Sequence, residues 1–104
     1  VHQRRFIGAG AMVGMGTPVT RDVPPFAKVY GTPPRLAGVN RVGASRSGRS
    51  DDAIDALEAA YAAGDLLDGN QHLAGPLGEF APALESWRQV EGLRPVSVSE
   101  ELHP

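Results

Sequence analysis

The stretch Val1-His2-Gln3-Arg4-Arg5-Phe6-Ile7-Gly8-Ala9-Gly10-Ala11-Met12-Val13-Gly14-Met15-Gly16-Thr17-Pro18-Val19 places an aliphatic residue at every sixth position. Val1, Ile7, Val13 and Val19 keep that register without a break. Gly8 and Gly14 follow two of them, and the small residues Ala11 and Thr17 stand four places after Ile7 and Val13. A helix needs apolar residues every three or four positions and a simple strand every second one, so a period of six fits neither. It fits a β-solenoid, in which each hexad forms one flat face, its aliphatic residue points into a narrow interior, and small residues let the chain turn the corner.

Working outward from that stretch, residues 1–23 supply little more than one coil, and a coil cannot bury its face without neighbours above and below. The chain also starts in mid-repeat, without an initiator Met. Both features lead us to expect the C-terminal part of a longer solenoid protein. Pro24-Pro25 forces extended backbone and removes two donors. Phe26 to Tyr30 alternates and is β-prone, predicting one further strand, and Gly31-Thr32-Pro33-Pro34 is a strong turn signal at which the solenoid should end.

The second half reads as helical. Ser50 is a good N-cap, Asp51 and Asp52 suit a first turn, and residues 51–63 contain neither Gly nor Pro. Ile54, Leu57 and Tyr61 share a face with Ala53 and Ala60, and Gly64 supplies the stop. Residues 65–82 carry apolar residues broken by Gly69, Gly75-Pro76 and Gly78, which predicts short helical pieces. A second helix is expected from Pro82 to about Glu91, with Leu84 and Trp87 on one face. The tail reads either as a short strand at Val96–Val98 or as disorder. The expected organisation is a solenoid end over 1–35, a connecting segment over 36–50, a helical domain over 51–92 and a tail over 93–104.

Composition narrows the chemistry. The 104 residues contain no cysteine, which excludes disulfides, thiolate metal sites and a cysteine nucleophile. His2, His72 and His103 lack metal-ligand spacing, so no metal or cofactor is expected. Gly8, Gly10, Gly14 and Gly16 do not lead from a strand into a helix, which makes them corner glycines rather than a phosphate cradle. No apolar run approaches the roughly 20 residues of a membrane span. The net charge of −2 conceals a division. Residues 1–50 hold eight Arg or Lys against one acid, a net of +7, whereas residues 51–104 hold two Arg against eleven acids, a net of −9. The acidic half, with no aromatics interleaved among the arginines, argues against nucleic acid.

The order of these features is similar to a known family. Val1-His2-Gln3, Ile7-Gly8-Ala9, Ala11-Met12-Val13-Gly14-Met15-Gly16 and Asp22-Val23-Pro24-Pro25 carry the likeness. Gly31-Thr32-Pro33-Pro34-Arg35, Gly38-Val39-Asn40 and the helix around Ala60-Tyr61 extend it. Together they resemble the C-terminal part of the UDP-N-acetylglucosamine acyltransferases of lipid A synthesis, closely over 1–63 and loosely over 64–92. The resemblance implies the terminal coils of a left-handed parallel β-helix followed by a small C-terminal helical domain, assembled as a cytoplasmic homotrimer. It implies transfer of a hydroxyacyl chain from acyl carrier protein to the 3-hydroxyl of the UDP-sugar. The family's general base is a histidine upstream of the VHQ segment, so His2 is not that base.

By the same resemblance, His2 and Gln3 border the substrate groove. Asn40 and Arg46 match the segment that reaches the nucleotide, where an arginine fork suits a diphosphate. Without the resemblance, a lone arginine in a polar loop reads as solvent-exposed. The chain departs from the family at several points: Thr32 and Pro34 in the turn, Val42 in place of an acid, Ala44 in place of a leucine, and Ser47 in place of a second arginine. Those departures leave room for a related sugar-nucleotide N- or O-acyltransferase, or for a non-catalytic trimerising or binding module on the same scaffold.

Overall fold

The computed structural model describes residues 6–17, 19, 21–31, 34–64, 75–90 and 92–99. Its sheet is mixed and open, with four strands in the order β1 (Met12–Val13), β2 (Ala27–Tyr30), β3 (Arg35–Val39) and β4 (Ser97–Val98). β1 runs parallel to β2, with Met12 opposite Lys28 and Val13 opposite Val29. A further parallel bridge joins Ile7 to Val23. The chain therefore stacks residues 7–13 on residues 23–29 at a constant offset of 16, one layer upon the next. A closed solenoid is not seen among the described residues. Ile7, expected to point inward, is 50% exposed, because no described layer covers it on the side away from Val23.

Gly8 stands where only a residue without a side chain fits. Its N–H donates to the Val23 carbonyl at 2.8 Å, and a Cβ there would sit 2.5 Å from the Pro25 nitrogen. The Pro-Pro step then sets a tight turn: the Ala27 N–H donates to the Pro24 carbonyl at 3.2 Å, and Phe26 takes φ +59°. Positive φ at the third residue of a turn with proline second is type II geometry, normally filled by glycine. A phenylalanine there costs about 1–2 kcal/mol. Three contacts hold it. The Phe26 N–H donates to the Ala9 carbonyl at 2.9 Å, its carbonyl accepts from the Asn40 N–H at 2.6 Å, and its ring meets Phe80 edge-on at 5.3 Å.

The segment expected only as a connection carries a strand and a helix. β3 runs antiparallel to β2, and the register slips by one residue between the pairs Lys28–Gly38 and Val29–Leu36. Ala37 is the extra residue, and the neighbouring Gly38 suits such a bulge. Leu36 and Val39 enter the core. α1 (Arg41–Arg46) follows at once, with Asn40 as its N-cap.

α2 (Asp51–Ala62) is capped by Ser50, whose hydroxyl accepts from the Ala53 N–H at 3.2 Å. It buries Ala53, Ile54, Leu57 and Tyr61. The Tyr61 hydroxyl donates to the Pro25 carbonyl at 2.7 Å, and burial pushes its pKa far above the usual phenol value. Gly75–Phe80 forms a 3-10 helix, and α3 (Ala81–Arg88) buries Leu84 and Trp87. Within the unsettled stretch 65–82, residues 65–74 lie outside the described residues, and the 3-10 helix is a short helical piece of the kind expected. Of the tail, Ser97–Val98 forms a short strand, β4, which pairs parallel with β3, and Pro95 bridges Asp22; residues 100–104 lie outside the described residues.

Asp22 ties these layers together and is 2% exposed. Its carboxylate accepts from the Phe6 N–H and from the Arg94 N–H, each at 2.7 Å. Its own N–H donates to the Arg94 carbonyl at 2.9 Å, and its carbonyl accepts from Val96 at 3.0 Å. Two backbone donors thus meet the oxygens of a carboxylate that is buried from water. No helix among the described residues is long and apolar enough to cross a membrane.

Candidate substrate-binding groove

The basic and acidic halves meet where α1 lies on α2. An open groove of about 350 Å³ runs between them, lined by Arg41, Val42, Ser45, Arg46, Asp51 and Ile54. α1 is only six residues long, too short to persist without tertiary support. Its buried Ala44 anchors one face. At its start, the Asn40 Oδ1 accepts from the Gly43 N–H at 3.1 Å, and the Asn40 Nδ2 donates to the Gly10 carbonyl at 2.8 Å. That second bond ties the helix to the turn at Gly10.

Arg41 crosses to α2. Its guanidinium donates to Asp55 at 2.5 Å and to Glu58 at 3.3 Å. The hydrogen bond to Asp55 raises the Arg41 pKa above its ordinary value. Because these side chains are largely exposed, the clamp is worth only about 0–1 kcal/mol and orients more than it stabilises. With Arg41 so engaged, Arg46 is the groove cation that makes no ion pair among the described residues. It stands in the last turn of α1, where the helix dipole favours a positive charge. Ser45 and Asp51 line the same groove, and Val42 and Ile54 supply apolar wall. A permanent cation, a hydroxyl and an apolar surface form a suitable cradle for an anionic group attached to a flat ring.

Of the four expected site residues, His2 and Gln3 lie outside the described residues. Asn40 and Arg46 occupy opposite ends of α1, about 9 Å apart along its axis. Arg46 lines the groove, whereas the Asn40 amide is turned to the Gly10 carbonyl. One of its two N–H groups and one oxygen lone pair are left for other partners. Three further contributors escaped the sequence reading. Arg41 pairs with residues 14 and 17 positions away, Arg49 leans on two distant rings, and Glu79 reaches back to Ser50. The Ser50 N–H and hydroxyl donate to the Glu79 carboxylate at 2.8 and 2.6 Å, which holds its pKa below the usual carboxylate range. Glu79 thus completes a capping box in which position 53 of the helix carries Ala rather than Glu. The only local signal for that substitution was the alanine itself.

Comparisons with known proteins fall on this region. The sequence model of a family described as Udp N-acetylglucosamine O-acyltransferase, domain 2, matches residues 22–86. The acyl-[acyl-carrier-protein]–UDP-N-acetylglucosamine O-acyltransferase of Pseudomonas fluorescens (strain Pf0-1) is 48% identical over 61 residues, which is 59% of this chain and 24% of the relative. The protein of the same description from Pseudomonas putida (strain W619) is 46% identical over 61 residues. The solved structure of the Arabidopsis UDP-N-acetylglucosamine acyltransferase superposes with a TM-score of 0.66 at 28% identity, covering 92% of this chain and 39% of that one. An LpxA from Acinetobacter baumannii superposes with a TM-score of 0.67 at 24% identity and shares the fold. The chain spans about a quarter of the length of the curated relatives it matches.

Proposed function

Because the chain belongs to the family of the second domain of UDP-N-acetylglucosamine O-acyltransferase, we propose that it is the acceptor-side part of such an enzyme. The reaction moves a hydroxyacyl chain from acyl carrier protein to the 3-hydroxyl of UDP-N-acetylglucosamine, a step of lipid A synthesis. In that reaction a base takes the hydroxyl proton, the sugar oxygen attacks the thioester carbonyl, the C–S bond breaks, and the carrier thiol leaves with a proton. Neither His2 nor any other residue of this chain is assigned as the base. His2 and Gln3 border the acceptor, and Asn40 and Arg46 reach its nucleotide. Homotrimeric assembly on a left-handed β-helix and a cytoplasmic location belong to the same reading. The parallel stacking of residues 7–13 on 23–29 supports the coil architecture.

The observation that carries the proposal is the position of Arg46. The segment that the resemblance brings to the nucleotide forms, in this chain, a helix whose last turn brings to an open groove a guanidinium that makes no ion pair among the described residues. Replacement of Arg46 by alanine in the full-length protein should weaken UDP-N-acetylglucosamine binding about tenfold by calorimetry. Unchanged affinity would return Arg46 to ordinary solvated surface. A related sugar-nucleotide N- or O-acyltransferase is the second reading. It is favoured by Val42, which brings an apolar side chain, 61% exposed, to a position where the family commonly has an acid. Titration with other UDP-sugars separates the two by their order of affinity.

A further inference from the structure

The end of α1 that bears Arg46 is met by a residue the proposed function does not use. The Arg49 backbone N–H donates to the Ala44 carbonyl at 3.1 Å, inside the last turn of α1. Its Nη1 donates to the Ser47 carbonyl and its Nε to the Glu79 carbonyl, each at 3.3 Å. The guanidinium carbon stands 5.4 Å from the centroid of the Phe26 ring and 5.5 Å from that of Phe80. One half-buried side chain therefore joins three segments distant in sequence: the end of α1, the Pro-Pro-Phe turn and the 3-10 helix before α3. Asn40 pins the other end of α1 to the Gly10 carbonyl.

We infer that Arg49 is a positioning residue for the groove, fixing the C-terminal turn of α1 so that the Arg46 guanidinium is held ready for the anion. The inference rests on the nucleotide-binding reading of Arg46. Lysine cannot replace Arg49 in this role. It keeps the charge but lacks the planar fork that donates to two carbonyls while lying over two rings. A six-residue helix has little stability of its own, so release at one end passes directly to its last turn.

The test combines amide hydrogen exchange with uridine diphosphate affinity in the full-length protein, for Arg49→Lys with Arg46 present and with Arg46→Ala. Exchange at the Ser47 and Gly48 amides should accelerate about three- to tenfold in Arg49→Lys, while the α2 amides from Ile54 to Tyr61 keep their rates. Affinity should fall about three- to tenfold when Arg46 is present and not at all in the Arg46→Ala background, since a residue acting through another shows no separate effect once that other is gone. Unchanged exchange at Ser47 and Gly48 overturns the inference, and so does an equal loss of affinity in both backgrounds. Full affinity in Arg46→Ala alone overturns the nucleotide reading; accelerated exchange alongside it still assigns the hold of Arg49 on α1. Arg49→Met, which keeps the apolar stem over the rings, repeats the comparison without the charge.

Discussion

Replacing Trp87 by alanine will destabilise the chain by about 3–5 kcal/mol, the range for emptying a large aromatic site in a packed interior. Trp87 is fully buried on α3, with its ring 5.7 Å from that of Phe6. The contact joins the last helix to the first described residue of the hexad stretch, so its loss leaves a cavity between elements far apart in sequence. A domain of this size is stable by about 5–15 kcal/mol, so a loss of that order unfolds a substantial fraction of molecules under mild denaturant. Urea unfolding followed by far-ultraviolet circular dichroism provides the measurement, because the substitution removes the chain's one tryptophan and with it the fluorescence signal. A shift in midpoint corresponding to less than about 1 kcal/mol would show that α3 does not depend on this contact.

Asp22→Ala should cost nearly as much, about 2–5 kcal/mol, for a different reason. Little apolar area is lost, but the N–H groups of Phe6 and Arg94 are stripped of their acceptor. An unsatisfied buried donor costs about 1–3 kcal/mol. Both donors belong to segments that flank the Asp22–Val23 step, so the damage should appear first as faster amide exchange at Phe6, Arg94 and Val96. Asp22→Asn keeps one acceptor oxygen and should recover about half of the loss. Equal stability of the alanine variant and the parent would contradict the role given to this carboxylate.

What the sequence revealed and what it hid divide along the range of the interactions. The stacking of residues 7–13 on 23–29 left a trace in the spacing of Ile7 and Val13 and in the phase of Gly8, because each requirement acts within a few residues. α2 was legible for the same reason: Ser50, the two aspartates and the apolar face all lie within one helix. β3 was hidden because Gly38 and the prolines before Arg35 resemble loop, and only the bulge opposite β2 explains that glycine. Phe26 could not be read as left-handed, since nothing local makes a phenylalanine adopt positive φ; the Ala9 carbonyl, the Asn40 N–H and the Phe80 ring do so together. The candidate groove was half visible. The resemblance pointed to Arg46, but Arg41, Arg49 and Glu79 act through partners at least 14 residues away.

The division of charge also has a physical location. Asp55 and Glu58 from the acidic half hold Arg41 from the basic half, and Glu79 holds the amide and hydroxyl of Ser50. These acids thus organise the junction on which the proposed nucleotide contact stands. Under the proposed function the positive charge of Arg46 serves to attract an anionic sugar nucleotide, and such steering weakens as ionic strength rises.

The most direct measurement is acyl transfer by the full-length gene product, using hydroxyacyl-loaded acyl carrier protein and UDP-N-acetylglucosamine, with mass spectrometry of the sugar nucleotide. The account predicts a 3-O-acylated UDP-N-acetylglucosamine and a free carrier thiol in equal amounts. An intact carrier thioester and an unmodified sugar nucleotide, from folded protein, would contradict it.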